Sequence, residues 1–180
     1  NTLSISEFGM FATASAAGVM LSRILAFGFI SALYRTATIR PNLIGTFTAG
    51  FLVLGALSLP LLAAASYAVY LLFFADAVPL KVFAAIVFAE ALLWRPVEVA
   101  LIVNNGLGKF GRAALLTILA TALRAVAAVL FTLASEHSIW VWSWFYIGAN
   151  LAPLLIAYGV FYPRQRLRLR MELYLRRIAD

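Results

Sequence analysis

Glu90, Arg95, Glu98 and Asn105 fall within one otherwise apolar run, AEALLWRPVEVALIVNNG (Ala89 to Gly106). Arg23 and Arg124 lie deep in apolar runs of their own, and Thr117, Thr121 and Arg124 follow one another at i, i+4, i+7 spacing. Guanidinium groups recognise anions such as phosphates and carboxylates. Carboxylates either pair with such groups or bind cations and protons. These residue types suit binding and charge transfer. No nucleophile with its base, no metal-ligand cluster and no phosphate loop accompanies them. GLGKFG (Gly106 to Gly111) lacks the Lys-Ser/Thr and the preceding strand of a phosphate loop, and its glycines suit a tight helix–helix turn. His137, the single histidine, sits in the short polar loop ASEHS and reads as a solvated loop residue. No enzyme activity, cofactor or metal is expected.

What must position these residues follows from composition. The chain of 180 residues is 64% hydrophobic and only 12% charged, about half the charge of a soluble domain. A soluble fold of this size has too little interior to hide that much apolar surface. Cysteine is absent, which excludes disulfides and thiolate metal sites. The net charge of +7 comes without a nucleic-acid motif, so it reads as membrane topology and no nucleic-acid partner is expected.

A spanning helix needs roughly 20 mostly apolar residues, and lipid leaves helices as the default because the backbone must satisfy itself. Five runs qualify: about Phe8–Tyr34, Leu43–Phe74, Leu80–Val103, Ala113–Ala134 and Ile139–Tyr162. The expected fold is an all-α integral membrane bundle of five helices over residues 1–162, followed by a basic amphipathic segment, 163–180. The second run contains Pro60 and is read as one kinked helix, because no charge interrupts it. Alternation of five helices gathers Arg35, Arg40, Lys109, Arg112 and the arginines of PRQRLRLRMELYLRRIAD on one side. The other side holds Glu7, Asp76 and Glu136 and no Lys or Arg outside the helices. The positive-inside rule then predicts a cytoplasmic C-terminus and Asn1 outside. IWVWSWFY (Ile139 to Tyr146) reads as an aromatic anchor at the outer interface. In the tail, Arg166, Arg168, Arg170, Arg176 and Arg177 are expected to reach anionic lipid head groups.

Inside the membrane each unpaired arginine costs on the order of 2.5–3.5 kcal/mol on insertion scales. Arg23 and Arg124 are therefore expected to face a shared polar interior, with Thr117 and Thr121 on the Arg124 face. On the third run Glu90, Glu98 and Asn105 stay within an arc of about 80°. Arg95 can pair with Glu98 at i, i+3, and Pro96 should kink the helix and free the carbonyl of Leu92. Two readings stand side by side: ion pairs that lock the bundle, or a cavity that admits charged cargo or couples to ions.

The lead-in SISEFGMFATASAA and the following ILAFGFISALYRTA, with Glu7, Phe8, Gly9, Gly28 and Arg35, resemble the second-helix region of the bacterial polysaccharide exporters and lipid-linked oligosaccharide flippases. ALIVNNGLGKFGRAALLTILATALRAVAAVL resembles that family's fourth-to-fifth helix hairpin, and ELYLRRIAD its basic linker before the seventh helix. These exporters belong to the multidrug/oligosaccharidyl-lipid/polysaccharide exporter superfamily. The resemblance implies helices two to six of an N-terminal lobe, with the first helix and the second lobe lying beyond this sequence. It implies transport of a lipid-linked glycan across the bacterial inner membrane by alternating access, with membrane lipids and a second lobe or partner subunits as neighbours. It also implies a cationic cavity, for which Arg23, Arg95 and Arg124 are the candidates, with Glu90 and Glu98 for coupling or pairing and Thr117, Thr121 and Asn105 as polar lining. The alternative is a non-transporting accessory subunit of a larger membrane complex.

Overall fold

The structure is a computed structural model that describes residues 3–162, with the side chains of residues 26–28 outside the described set. The tail arginines expected at lipid head groups (Arg166, Arg168, Arg170, Arg176 and Arg177) lie outside the described residues, as does the whole segment 163–180. Every element of the described chain is helical. Four helices are long and apolar enough to cross a membrane: Ile5–Leu25, Pro41–Phe73, Phe110–Thr132 and Ile139–Phe161.

The third predicted run is also helical, from Leu80 to Gly106, but it is composite. It consists of α4 (Leu80–Phe88), a π-helical segment (Ala89–Trp94) and α5 (Arg95–Gly106). Its length suffices for a span; Lys81, Glu90, Arg95 and Glu98 separate it from the four apolar helices. It is also the central element, packing on α1 (Ile5–Leu21), α2 (Phe29–Ile39), α6 (Phe110–Thr132) and α7 (Ile139–Ile156). A helix surrounded by protein can carry charge that a lipid-facing helix cannot.

The kink expected at Pro96 takes the form of this π-segment. Pro96 has no N–H to donate one turn back, and widening the preceding turn to i→i+5 bonding absorbs the missing donor. Pro60, by contrast, sits within a single 30-residue α3 (Ile44–Phe73), as expected.

The first run departs from its prediction. It is not one helix from Phe8 to Tyr34 but α1, a seven-residue 3₁₀ stretch (Ser22–Gly28) and α2. Ser4 caps α1 in a reciprocal box, its Oγ accepting from the Glu7 N–H while the Glu7 carboxylate accepts from the Ser4 N–H. In the 3₁₀ stretch the tighter turn of 3.0 residues leaves Ser22 and Leu25 buried and turns Arg23 outward.

Successive helical runs join by short turns, so the α2–α3 and α5–α6 turns share one end of the bundle with the end of α7. This is the basic end, with Arg40, Lys109 and Arg112. In the α5–α6 turn Gly108 adopts φ +70, a left-handed conformation that glycine takes without steric cost. Two residues earlier, Gly106 lets α5 lie directly on α2. A Cβ there would fall 2.5 Å from the Ala37 Cβ.

The main core gathers Leu33, Ile44, Phe83, Ile86, Val99 and Val103, all essentially inaccessible, along this central run. Large apolar side chains on the outward faces, such as Leu57, Leu72, Ile118 and Val129, are exposed. That inside-out pattern is expected of helices solvated by lipid.

Candidate functional site: a polar chain through the bundle

The π-segment places Glu90 and Trp94 one turn apart at the junction of α1, α6 and α7. Glu90 is 4% exposed. Its Oε1 accepts a hydrogen bond from the Ser15 Oγ of α1 at 2.9 Å and another from the Tyr146 hydroxyl of α7. The two hydroxyls lie 3.4 Å apart. Gly18 leaves room for the carboxylate stem, since a Cβ there would sit 3.2 Å from the Glu90 Cγ. Phe11 packs edge-on against the Tyr146 ring, with centroids 5.0 Å apart, and fixes its angle.

One turn along α7 from Tyr146 stands Asn150, fully buried. Its Nδ2 donates to the Tyr146 carbonyl at 2.8 Å, which fixes the amide orientation. Its Oδ1 accepts from Arg124 Nη2 of α6 at 2.6 Å. The Arg124 guanidinium lies over the Trp94 ring, 4.1 Å from the centroid, and 6.0 Å from that of Tyr146. Such cation–π contacts contribute more when desolvated, up to about 2 kcal/mol. The result is a continuous polar chain: Ser15, Glu90, Tyr146, Asn150, Arg124, Trp94. It joins α1, the π-segment, α6 and α7. Glu90 and Arg124 do not touch; Tyr146 and Asn150 stand between them.

Arg95 and Glu98 form the i, i+3 ion pair expected of them. Arg95 is buried and Glu98 half-buried, and the Arg95 Nε has no partner among the described residues. This pair is separate from the Glu90 chain, so the common face predicted for Glu90, Glu98 and Asn105 does not form one site. Asn105 is half-exposed, and the neighbouring Asn104 is the fully buried residue. Asn104 Nδ2 donates to the Ala100 carbonyl at 2.8 Å and to the Phe161 carbonyl at 3.3 Å.

Thr117 and Thr121 are exposed on the flank of α6, and each hydroxyl donates back to its own helix, to the carbonyls of Ala113 and Thr117. They share the Arg124 side of the helix, but only the long arginine side chain reaches inward. Arg23 contradicts the expectation of a shared interior: it is exposed and has no partner among the described residues.

Five residues of importance escaped the sequence reading: Ser15, Trp94, Asn104, Tyr146 and Asn150. Tyr146 was grouped with an interfacial aromatic anchor. Trp140 and Trp144 are exposed as that role requires, but Tyr146 lies seven residues into α7, roughly 10 Å along its axis, and is buried. Asn150 and Asn104 carried a usable signal, because an amide in an apolar run demands a partner just as a charge does.

No family model, no curated protein and no solved structure matches this chain. What stands is its class: a helical bundle with four helices fit to cross a membrane, compatible with a multi-pass membrane protein.

Proposed function

We propose that the chain is part of a membrane transporter, the N-terminal lobe of an exporter that flips lipid-linked oligosaccharide or exports polysaccharide across the bacterial inner membrane by alternating access. In this reading Asn1 is outside, the basic end is cytoplasmic, and the tail contacts lipid head groups. Three features support it: the sequence resemblance, the segregation of loop charges, and the polar chain at membrane depth. The observation that carries it is the posture of Arg124. The guanidinium is held by Asn150 and Trp94, and Asn150 is its one hydrogen-bond partner among the described residues. A half-buried cation positioned by two neutral groups, with no internal carboxylate on it, retains its charge for an anionic cargo. The π-turn beside it is the kind of irregularity that recurs at functional sites.

Arg124→Ala is expected to lower export at least tenfold in cells that depend on this protein, with membrane insertion unchanged. Arg124→Lys keeps the charge but loses the planar stack, and should fall between. Normal export in Arg124→Ala contradicts the transport role of this residue.

A second reading, a non-transporting accessory subunit, is favoured by Arg23. An exposed cation on a spanning helix gains from a partner's carboxylate at the same depth. Purification in native lipid separates the two readings. Co-purifying membrane subunits that cross-link to cysteine placed at Arg23 support the accessory role, and a lone chain carrying glycolipid opposes it.

A further inference from the structure

The last turn of α7 is irregular in the same way as the centre of the bundle. Pro153 lies inside α7 and breaks its hydrogen-bond ladder. Four residues later the helix widens into a second π-turn, Ala157–Phe161, closed by the Tyr162 N–H on the Ala157 carbonyl at 2.7 Å. Beyond Pro153, three side-chain contacts attach this turn to other helices. The Tyr158 hydroxyl donates to the Pro96 carbonyl at 3.2 Å. Asn104 Nδ2 donates to the Phe161 carbonyl at 3.3 Å, a carbonyl the helix itself leaves unbonded at its end. The Tyr162 hydroxyl and Thr48 Oγ1 of α3 are 2.6 Å apart. Tyr158 and Tyr162 stack at 4.8 Å, so the contacts are coupled. Ala157 and Phe161 complete a small second core with Val97, Ala100 and Leu116, apart from the main one.

We infer that residues 157–162 form a hinged latch at the basic end of the bundle, pivoting at Pro153 and fastened to α5 and α3 by Tyr158, Asn104 and Tyr162. The hinge has an identifiable cause: proline and a π-turn within one segment. The fastening is long-range, whereas a regular helix end is held by its own ladder. The closed state also carries a cost. Asn104 Oδ1 is buried without a partner among the described residues, and a buried acceptor left unbonded is destabilising. Opening admits water to it, which keeps the two states close in free energy. Closed, the latch covers Asn104 and the Pro96 carbonyl just below the central π-turn. Open, it uncovers a route into the bundle from the basic end. This inference does not depend on the cargo or on the transport reading.

The native chain has no cysteine, so spin labels placed at Val160 and Asn42, both exposed, report the distance from the latch to the turn that opens α3. In lipid nanodiscs the triple variant Thr48→Val, Asn104→Ala, Tyr158→Phe is expected to broaden the distance distribution or add a longer component. Hydrogen exchange of residues 154–162 should rise at least tenfold, while α1 and α4 keep their protection. Should the triple variant fail to insert, Thr48→Val and Tyr158→Phe made singly give the same readout at smaller amplitude. An unchanged distribution and unchanged exchange overturn the latch. So does a loss of protection spread evenly over all helices, which would make these contacts general packing.

Discussion

Removing both hydroxyls that hold Glu90, in the double variant Ser15→Ala, Tyr146→Phe, is expected to destabilise the folded bundle by about 3 kcal/mol. Each hydroxyl alone satisfies part of the carboxyl group. Stripping both leaves a buried polar group with no donor, at the cost of its full desolvation. Water would relieve this on a soluble protein's surface, but a carboxyl surrounded by α1, α7 and the π-segment has little access to it. Replacing the carboxyl by an amide moderates the loss. In a Glu90→Gln background the same pair of hydroxyl deletions should cost markedly less, because the amide carries donors of its own and depends less on the two hydroxyls. Reversible unfolding in bicelles, followed by steric trapping, measures both. If the double variant is as stable as the parent, Glu90 is not held as described.

Gly106 governs the second large effect. Its missing side chain lets α5 touch α2, and a Cβ would meet the Ala37 Cβ at 2.5 Å, closer than real Cβ contacts approach. Both partners are short backbone-anchored atoms, so neither can swing aside. Gly106→Val is expected to push the helices apart and destabilise by about 2–3 kcal/mol. Gly106→Ala should cost less, and Ala37→Gly added to it should restore most of the loss. Gly9 is the control: a Cβ there meets nothing within 4 Å, so Gly9→Ala should be neutral or slightly stabilising through helix propensity. Melting temperature in one detergent orders the four variants. Equal losses at positions 9 and 106 would mean that Gly106 acts through backbone entropy and not through the contact.

These cases show which features the sequence made legible. Helical class and the limits of the last four runs followed from apolar length and polar gaps. The Arg95–Glu98 pair followed from i, i+3 spacing, and Arg124 followed from the cost of a charge at membrane depth. Each is a local rule. The 3₁₀ stretch at Ser22–Gly28 was not legible, because no proline marks it and a lone Arg23 does not announce a tighter turn; packing against α3 accompanies it. The cost of a charge at membrane depth predicts Arg23 inward, and that rule does not see the turn that carries it outward. Further along, Pro96 announces an irregularity without showing that the preceding turn is π-helical, and the phase shared with Glu90 and Glu98 points to Asn105 where the neighbouring Asn104 is the buried amide. Partners from distant helices, Ser15 and Tyr146 for Glu90 and Asn150 for Arg124, depend on which helices adjoin. No local pattern encodes that.

The polar chain depends on Glu90 and Tyr146 meeting in the interior. A double-mutant cycle with Glu90→Gln and Tyr146→Phe, read as unfolding free energies in a lipid bilayer, tests this most directly. Pairs within membrane proteins couple by about 0.6 kcal/mol on average and up to about 1.7 kcal/mol. A coupling in the upper half of that range is the predicted result. Two single effects that simply add, to within about 0.3 kcal/mol, would place the two groups apart and contradict the polar chain.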